Sequence, residues 1–191
     1  MTDQDRESRQ RILAATVALL SEVEDPARVT VRQIAERAGV GIGAINYHFQ
    51  SKDNLLNLAV GQIVEGVAAS WYQPLQSADL DPLTRLKRLL KDTASAVVRY
   101  DKFMQITISY GLLHGELDTP ALIVPLLREI VGGAMPESEL RLLAFQLIIP
   151  TQVAYLRADA FRRFTGIDLA DDAKRDAALD QMVDHLVGKH L

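Results

Sequence analysis

The chain has 191 residues, a formal net charge of −4 at pH 7 and no cysteine. Hydrophobic residues make up 48% and charged residues 24% of the sequence, a balance that excludes a chain disordered throughout. The absence of cysteine excludes disulfides, thiolate metal sites and a cysteine nucleophile. Since the chain lacks an overall basic charge, any contact with DNA must come from a local arrangement of residues.

One segment near the N-terminus has the length of a signal-peptide core. Residues 12–20 (ILAATVALL) follow three arginines, but acidic residues interrupt this basic stretch. The sequence SEVED then occupies the place where a small-residue cleavage site belongs. No apolar run approaches the ~18 residues that a membrane-spanning helix needs. We therefore expect a cytoplasmic protein with no membrane partner.

Two helices are predicted before residue 40. Apolar residues over positions 12–23 recur with the 3.6-residue period of a helix that buries one stripe, and Asp25-Pro26 ends it. Thr30 and Gln33 have the spacing of a capping box at the start of the second helix. Gly39 ends that helix, because glycine readily adopts the positive φ of a C-terminal cap.

A third and a fourth helix follow directly. The third is predicted from about Gly41 to Phe49. Ser51 is predicted to cap the fourth, and Asp53 in its first turn suits the positive end of the helix dipole. The first four helices are therefore closely spaced and joined by short turns.

Longer helices are predicted beyond residue 73. Asp81-Pro82 and Thr119-Pro120 each have the pattern of an N-cap followed by proline at the first helical position. A helix that is apolar on several faces is predicted over residues 136–164, with a kink at Pro150. The last helix is predicted over residues 172–190, and no strand alternation is seen. The predicted fold is all-α.

The segment that begins at Thr30 has the spacing of a helix-turn-helix. Ala35 allows two helices to cross closely, Gly39 makes the tight turn, and Ile45 buries the junction. In this motif the second helix lies in a major groove and the first crosses the DNA backbone. The glycines and the alanine of the second helix let its backbone approach DNA closely. That surface consists of Gly41, Ile42, Gly43, Ala44, Asn46, Tyr47 and His48.

The segment GVGIGAINYHFQSKDNLL resembles the DNA-binding motif of TetR-type regulators, the tetracycline-repressor family. The resemblance implies a three-helix DNA-binding head, a connecting fourth helix and a larger helical body that binds a ligand and dimerises. We accordingly expect a helix-turn-helix domain over residues 1–50. An effector-binding and dimerisation domain is expected over residues 51–191.

The resemblance also implies roles for individual positions. Thr30 and Arg32 fall where such proteins touch the backbone or a base, and Tyr47, His48 and Lys52 fall where they contact phosphates. The base-facing positions are Gly41, Ile42, Gly43, Ala44 and Asn46. At Asn46 the sequence departs from a variant that has an aromatic pair before the His-Phe. Since asparagine can pair bidentately with adenine, operator rules of other members are not carried over.

An isolated helix-turn-helix pattern also occurs in proteins that bind no DNA, and the charge of this segment also weighs against DNA binding. Residues 1–54 hold seven Lys and Arg against eight Asp and Glu, which disfavours strong non-specific binding. However, the acids Glu22, Glu24 and Asp25 lie at the far end of the first helix, away from the expected reading face. For Tyr47 the alternative is a core aromatic.

Other clusters of polar residues are weaker candidates for chemistry. His185 and His190 are five residues apart, which does not suit one helix face, so we expect no metal. His114, Glu116 and Asp118 suggest a ligand cluster, but a helix end followed by a solvated turn is favoured. With neither a Gly-rich phosphate loop nor a nucleophile motif, we expect no enzyme and no cofactor.

Aspartates recur every four residues along the last predicted helix. Like charges at this spacing repel one another, so the favoured interpretation is a solvated edge. Arg162 or Arg163 of a neighbouring helix are the suggested partners. The four are Asp172, Asp176, Asp180 and Asp184.

The body is expected to hold an effector pocket. Its candidate lining mixes aromatic side chains and methionine with a few polar groups, as apolar pockets with sparse orienting groups do. For each residue the alternative is an ordinary place in the core. The candidates are Trp71, Phe103, Met104, Ile106, Thr107, Tyr110, His114, Phe145, Gln146 and Tyr155.

The sequence therefore predicts a ligand-responsive regulator, expected to be a repressor, that binds a palindromic operator in double-stranded DNA. A small apolar or aromatic effector is expected to release it. We expect a homodimer through the last two long helices, with Leu147 and Leu186 as candidates for the seam. The alternative is a helical ligand-binding or enzyme domain that retains a vestigial helix-turn-helix.

Overall fold

The computed structural model of the chain describes residues 3–71, 79–133 and 135–190, and within them all side chains except those of residue 27 and residues 65–71. Across these ranges the chain forms ten α-helices and no strand, which confirms the predicted all-α fold. Among the same residues, no helix is both long and apolar enough to cross a bilayer.

The first four helices follow one another with short connections. A single 3₁₀ turn, Pro26–Arg28, lies between the first two. The helices are α1 (Asp3–Glu22), α2 (Val31–Ala38), α3 (Ile42–Phe49) and α4 (Lys52–Trp71).

Six more helices follow residue 80. They are α5 (Pro82–Arg99), α6 (Asp101–His114), α7 (Asp118–Ile130), α8 (Glu137–Leu156), α9 (Ala158–Thr165) and α10 (Asp172–Val187). The chain divides into two compact units. The first unit comprises Met1–Val67 and Lys102–Tyr110, and the second comprises Ala68–Asp101 and Gly111–Leu191.

The predicted caps of α2 are confirmed. The Thr30 hydroxyl accepts a hydrogen bond of 3.3 Å from the Gln33 backbone N–H. In return, the Gln33 side-chain oxygen accepts one of 2.8 Å from the Thr30 backbone N–H. Gly39 ends the helix with φ of 64°. Val29 and Ile34 on either side of the N-cap are both buried, as a hydrophobic staple requires.

The core of the first unit is built from one face of each of its first three helices. Ile12 and Leu20 of α1, Ile34 of α2 and Ile45 and Phe49 of α3 are all fully buried. Burial of large apolar side chains on all three helices explains why segments as short as α2 and α3 are stable, since isolated eight-residue helices are not.

An ion pair joins α1 to α2 at the edge of this core. Arg37 donates two hydrogen bonds, of 2.9 Å and 2.6 Å, to the two carboxylate oxygens of Glu22. This side-chain hydrogen bond holds the pKa of Glu22 below its ordinary value. Both side chains are about half exposed, so the pair is partly screened by solvent.

Two predicted helix boundaries in the second unit are wrong. Helix α7 begins at Asp118 with Leu117 as its N-cap, so Thr119 is not the cap. Pro120 instead occupies the third helical position, where a missing backbone N–H costs nothing because the first turn has no intrahelical acceptors.

The apolar stretch predicted as one helix over residues 136–164 forms two helices. Helix α8 continues through Pro150 and ends at Leu156. Arg157, with φ of −122° and ψ of 36°, leaves the helical region and separates α8 from α9. The sequence carries no glycine or proline at this break, which explains why periodicity alone missed it.

Two aspartates of the α10 stripe meet lysines of α5 and the other two meet Arg175, so the partners suggested from sequence, Arg162 or Arg163, are wrong. Lys87 pairs with Asp184 at 2.6 Å, and Lys91 pairs with Asp180 at 2.7 Å. Because the lysine numbers rise as the aspartate numbers fall, α5 and α10 run antiparallel. Arg162 pairs instead with Asp159 at 3.9 Å and with Asp168 at 3.4 Å.

Arg175 is the charged side chain most deeply buried among those described, at 1% exposure. Its guanidinium donates to the Ser95 hydroxyl at 2.8 Å and lies 2.8 Å from Asp172 and 3.2 Å from Asp176. A fourth contact reaches the backbone carbonyl of Leu169 at 3.4 Å. Buried arginine requires such partners, and here they tie α10 to α5.

Candidate nucleic-acid interface

Helix α3 has one face in the core and one face in solvent. Ile45 and Phe49, four residues apart, are 0% and 1% exposed. On the other side Tyr47 is 73% exposed. Asn46 is exposed as well, and Ile42, the first residue of the helix, is 49% exposed. Tyr47 is therefore not a core aromatic. The outward face of α3 carries both apolar and polar side chains, and none of them is acidic.

The start of α3 contains two glycines, so its backbone carries no side chain at these two positions. Gly41 is the N-cap of the helix and Gly43 lies in its first turn. A Cβ atom built on either glycine meets nothing within 4 Å. The packing of the chain itself therefore does not require glycine at these positions. Ala44, the third small residue here, is half-buried.

The N-terminal end of α2 is also open to solvent. Thr30 and Arg32 are both exposed. The Thr30 hydroxyl is already engaged in the capping box with Gln33, so its place at the end of α2 is fixed. Arg32 lies two residues further on, in the first turn of the helix.

The turn between α3 and α4 is unusually tight. The Ser51 backbone N–H donates to the Phe49 carbonyl at 2.7 Å, and the residue between them, Gln50, has φ of 64° and ψ of −41°. These angles are close to those of the γ-turn with positive φ, which is rare and strained. The Ser51 hydroxyl accepts from the Asn54 backbone N–H at 3.1 Å, which confirms Ser51 as the cap of α4.

The basic and aromatic side chains beside this turn are held by neighbours on α1 and α3. The His48 ring is half-buried and meets the Tyr47 ring edge-on, with centroids 4.9 Å apart. The Arg9 guanidinium of α1 lies 5.2 Å from the centroid of the Phe49 ring, a cation–π distance that sequence reasoning did not anticipate. Lys52 is the first residue of α4 and is half-buried.

Five of the ten effector candidates lie on the part of α6 that belongs to the first unit. Phe103 and Met104 are buried, and Ile106, Thr107 and Tyr110 are half-buried. The Thr107 hydroxyl donates to the carbonyl of Phe103 at 3.4 Å. The Tyr110 hydroxyl hydrogen-bonds Asn54 of α4 at 3.1 Å, a contact that sequence reasoning missed.

The other effector candidates are placed differently. His114 is exposed at the last residue of α6, and Phe145 and Gln146 are exposed on α8. Tyr155 is buried on α8, and this burial raises the pKa of its hydroxyl above the ordinary value. Trp71 is the last residue of α4, but its side chain lies outside the described residues.

Part of this arrangement matches a known family model. Residues 12–59 match the family model described as bacterial regulatory proteins, tetR family. These residues include the core of the first unit and the whole of α3.

Two curated relatives are similar in sequence. The chain is 27% identical over 172 residues to the HTH-type transcriptional repressor KstR of Rhodococcus jostii (strain RHA1), covering 87% of this chain and 79% of that protein. It is 32% identical over 82 residues to the HTH-type transcriptional regulator BetI of Yersinia pestis (strain Pestoides F). That second match covers 42% of this chain and 41% of BetI.

A solved structure shows the same fold over most of its length. It is the TetR-family transcriptional repressor FadR of Thermus thermophilus, in complex with lauroyl-CoA, with a TM-score of 0.67. The two sequences are 20% identical, and the superposition covers 91% of this chain and 93% of that one.

Proposed function

We propose that the chain is a DNA-binding transcriptional regulator of the tetR family of bacterial regulatory proteins, and that it represses transcription as a homodimer on a palindromic operator. A small apolar or aromatic effector releases it from that operator. The observation that carries this proposal is the solvent-exposed surface of α3, where Ile42, Asn46 and Tyr47 are exposed while Ile45 and Phe49 are fully buried.

The proposed contacts divide into two kinds. Lys52, Tyr47 and His48, at the end of α3 and the start of α4, bind phosphates and fix the orientation of the head. Thr30 and Arg32, at the start of α2, touch the backbone or a base edge. The remaining positions face the bases in the major groove: Gly41, Ile42, Gly43, Ala44 and Asn46.

We assign DNA binding to residues 1–50 and effector binding with dimerisation to residues 51–191. The proposed effector contacts are the candidates on α6 within the first unit: Phe103, Met104, Ile106, Thr107 and Tyr110. Support comes from their composition, since aromatic and Met side chains with few polar groups suit an apolar ligand. FadR, which shares the fold, was crystallised with lauroyl-CoA, a ligand with an apolar chain.

The proposed dimer uses an apolar face of α8. Leu142, Phe145 and Val153 are 56%, 41% and 46% exposed, and their spacing places them on one side of the helix. Exposed apolar faces of this kind mark protein–protein contacts. Leu147, by contrast, is fully buried within its own chain, so it does not belong to the seam expected from sequence.

The dimer proposal is tested by measuring mass with light scattering at micromolar concentration. Val153→Asp is expected to give a monomer, because a charge in an apolar interface has no partner. Leu113→Asp is the matched control, since Leu113 is 76% exposed on α6. A monomeric wild-type protein would contradict the proposal.

DNA recognition is tested by selecting bound fragments from random-sequence DNA and measuring affinity at several salt concentrations. We expect enrichment of two symmetric half-sites about 34–36 Å apart and an affinity that falls steeply with salt. Binding without sequence enrichment and without a salt slope would favour the alternative, a helical ligand-binding or enzyme domain with a vestigial helix-turn-helix.

A further inference from the structure

We propose that Tyr110 and Asn54 form a latch that holds the C-terminal end of the recognition helix α3, so that Tyr110 is a positioning residue for DNA binding. This inference rests on the proposed function, because it assigns a means of control to the same interface. All groups of the latch lie in the first unit of the chain.

Two consecutive hydrogen bonds make up the latch. The Tyr110 hydroxyl of α6 donates to Asn54 Oδ1 of α4 at 3.1 Å. Asn54 Nδ2 then donates to the backbone carbonyl of Phe49, the last residue of α3, at 3.0 Å. The carbonyl can only accept, so the amide nitrogen must face it and the amide oxygen must face Tyr110. An amide that accepts and donates at once strengthens both bonds.

The latch ends on the strained turn. The Phe49 carbonyl also accepts from Ser51 N–H at 2.7 Å, across the positive-φ residue Gln50. A strained turn persists only where surrounding groups hold it in place. The Asn54 amide is such a group, because it fixes the carbonyl on which the turn closes.

The turn determines how the two proposed kinds of DNA contact are spaced. Asn46 and Tyr47 precede it on α3, and Lys52 follows it as the first residue of α4. If the Phe49 carbonyl is released, the turn relaxes, and base contacts and phosphate contacts no longer fit one DNA site together. Misplacement of such contacts lowers affinity without removing any of them.

The position of Tyr110 along α6 suits a control point. Tyr110 is the last residue of α6 in the first unit, and α6 continues to His114 in the second. Phe103, Ile106 and Thr107 precede Tyr110 by seven, four and three residues, so they share its helix face. A ligand that contacts this face of α6 therefore acts on the helix that carries the latch.

The first test measures operator affinity of the full-length protein without effector. Tyr110→Phe removes only the hydroxyl and is expected to weaken operator binding by about threefold to tenfold, the range for one neutral hydrogen bond. In an Asn54→Ala background the same substitution is expected to have no further effect. Tyr100→Phe, which removes a hydroxyl from the second unit, is the matched control. Wild-type affinity in Tyr110→Phe, or an equal loss in both backgrounds, would overturn the proposal.

The second test needs no DNA and separates this inference from the proposed function. Hydrogen exchange is measured at the Ser51 backbone N–H, which closes the strained turn. Tyr110→Phe is expected to accelerate exchange there while amides in the middle of α1 keep their protection. Unchanged exchange at Ser51 would overturn the latch even if operator binding is confirmed. Failure of the wild-type protein to bind DNA would leave this readout valid and would count only against the proposed function.

Discussion

Glu22 and Arg37 lie side by side, with each guanidinium nitrogen of the pair on a separate carboxylate oxygen, at 2.9 Å and 2.6 Å. The pair connects the C-terminal end of α1 to the last turn of α2. It also neutralises one of the acids that make the N-terminal segment slightly negative. A two-pronged pair of this geometry orients two helices more firmly than a single contact does.

The first prediction concerns the pH dependence of this pair. Hydrogen bonding to Arg37 lowers the pKa of Glu22 in the folded state. The pair therefore stabilises the fold above the unfolded pKa of about 4.3, and this contribution is lost as pH falls through the lower folded pKa. We expect Glu22→Gln to lower the melting temperature at neutral pH, and we expect the difference from the wild type to vanish as the pH falls below the folded pKa of Glu22.

Thermal unfolding followed by circular dichroism over this pH range checks the prediction. Glu24→Gln is the control, because Glu24 is an exposed acid two residues away. The prediction fails if Glu22→Gln and Glu24→Gln change the melting temperature equally at every pH.

The second prediction separates folding from DNA binding at Gly43. A Cβ atom at this position meets nothing within 4 Å, and Gly43 has a helical backbone. Gly43→Ala should therefore stabilise the free protein by about 0.5–1 kcal/mol. It should nevertheless weaken operator binding, because the added methyl group blocks close approach of the helix backbone to the bases.

Gly61→Ala provides the matched control for Gly43→Ala. Gly61 lies inside α4, and a Cβ atom there also meets nothing within 4 Å. We expect similar stabilisation with unchanged operator affinity. If Gly43→Ala binds the operator as tightly as Gly61→Ala does, then α3 does not approach the DNA closely at this glycine.

The third prediction concerns the effector. Trp71 is the single tryptophan of the chain, so its fluorescence reports on one position. A library of apolar and aromatic compounds should contain members that change this emission and release operator DNA. The same compounds should accelerate hydrogen exchange at Ser51, as is expected for Tyr110→Phe. A library that alters neither emission nor DNA binding counts strongly against an apolar effector.

Much of the first unit is predictable from sequence because its signals are local. The capping box of Thr30, the positive φ of Gly39 and the cap at Ser51 each depend on residues within a few positions of one another. Signals that depend on so few neighbouring residues can be predicted from the residue types alone. The exposed face of α3 follows from the same helix period once its buried positions, Ile45 and Phe49, are known.

The remaining features depend on contacts between residues far apart in the sequence. Nothing near Lys91 indicates that it pairs with Asp180, and nothing near Tyr110 indicates that it bonds Asn54. The strained turn was missed because Gln50 is not a residue type that signals positive φ. The buried position of Arg175 was missed because arginine is ordinarily exposed.

The last prediction distinguishes phosphate contact from base reading within the interface. Lys52 carries a full charge at the start of α4, where the helix dipole also favours a phosphate. Lys52→Gln should weaken binding about equally on operator and on scrambled DNA. It should also reduce the slope of log affinity against log salt by about one per subunit, because one phosphate contact is lost. Arg99→Ala is the charge control, since Arg99 is exposed on α5.

Asn46 should behave in the opposite way. Its side chain is neutral, exposed on α3 and able to donate and accept at once. Asn46→Ala should cost about 1–3 kcal/mol on the operator, cost little on scrambled DNA and leave the salt slope unchanged. A loss of fold would harm both variants on both DNAs, so normal helicity is confirmed first by circular dichroism. If Asn46→Ala weakens both DNAs equally or reduces the slope as Lys52→Gln does, Asn46 contacts a phosphate, and α3 lies in the groove in a different orientation from the one proposed.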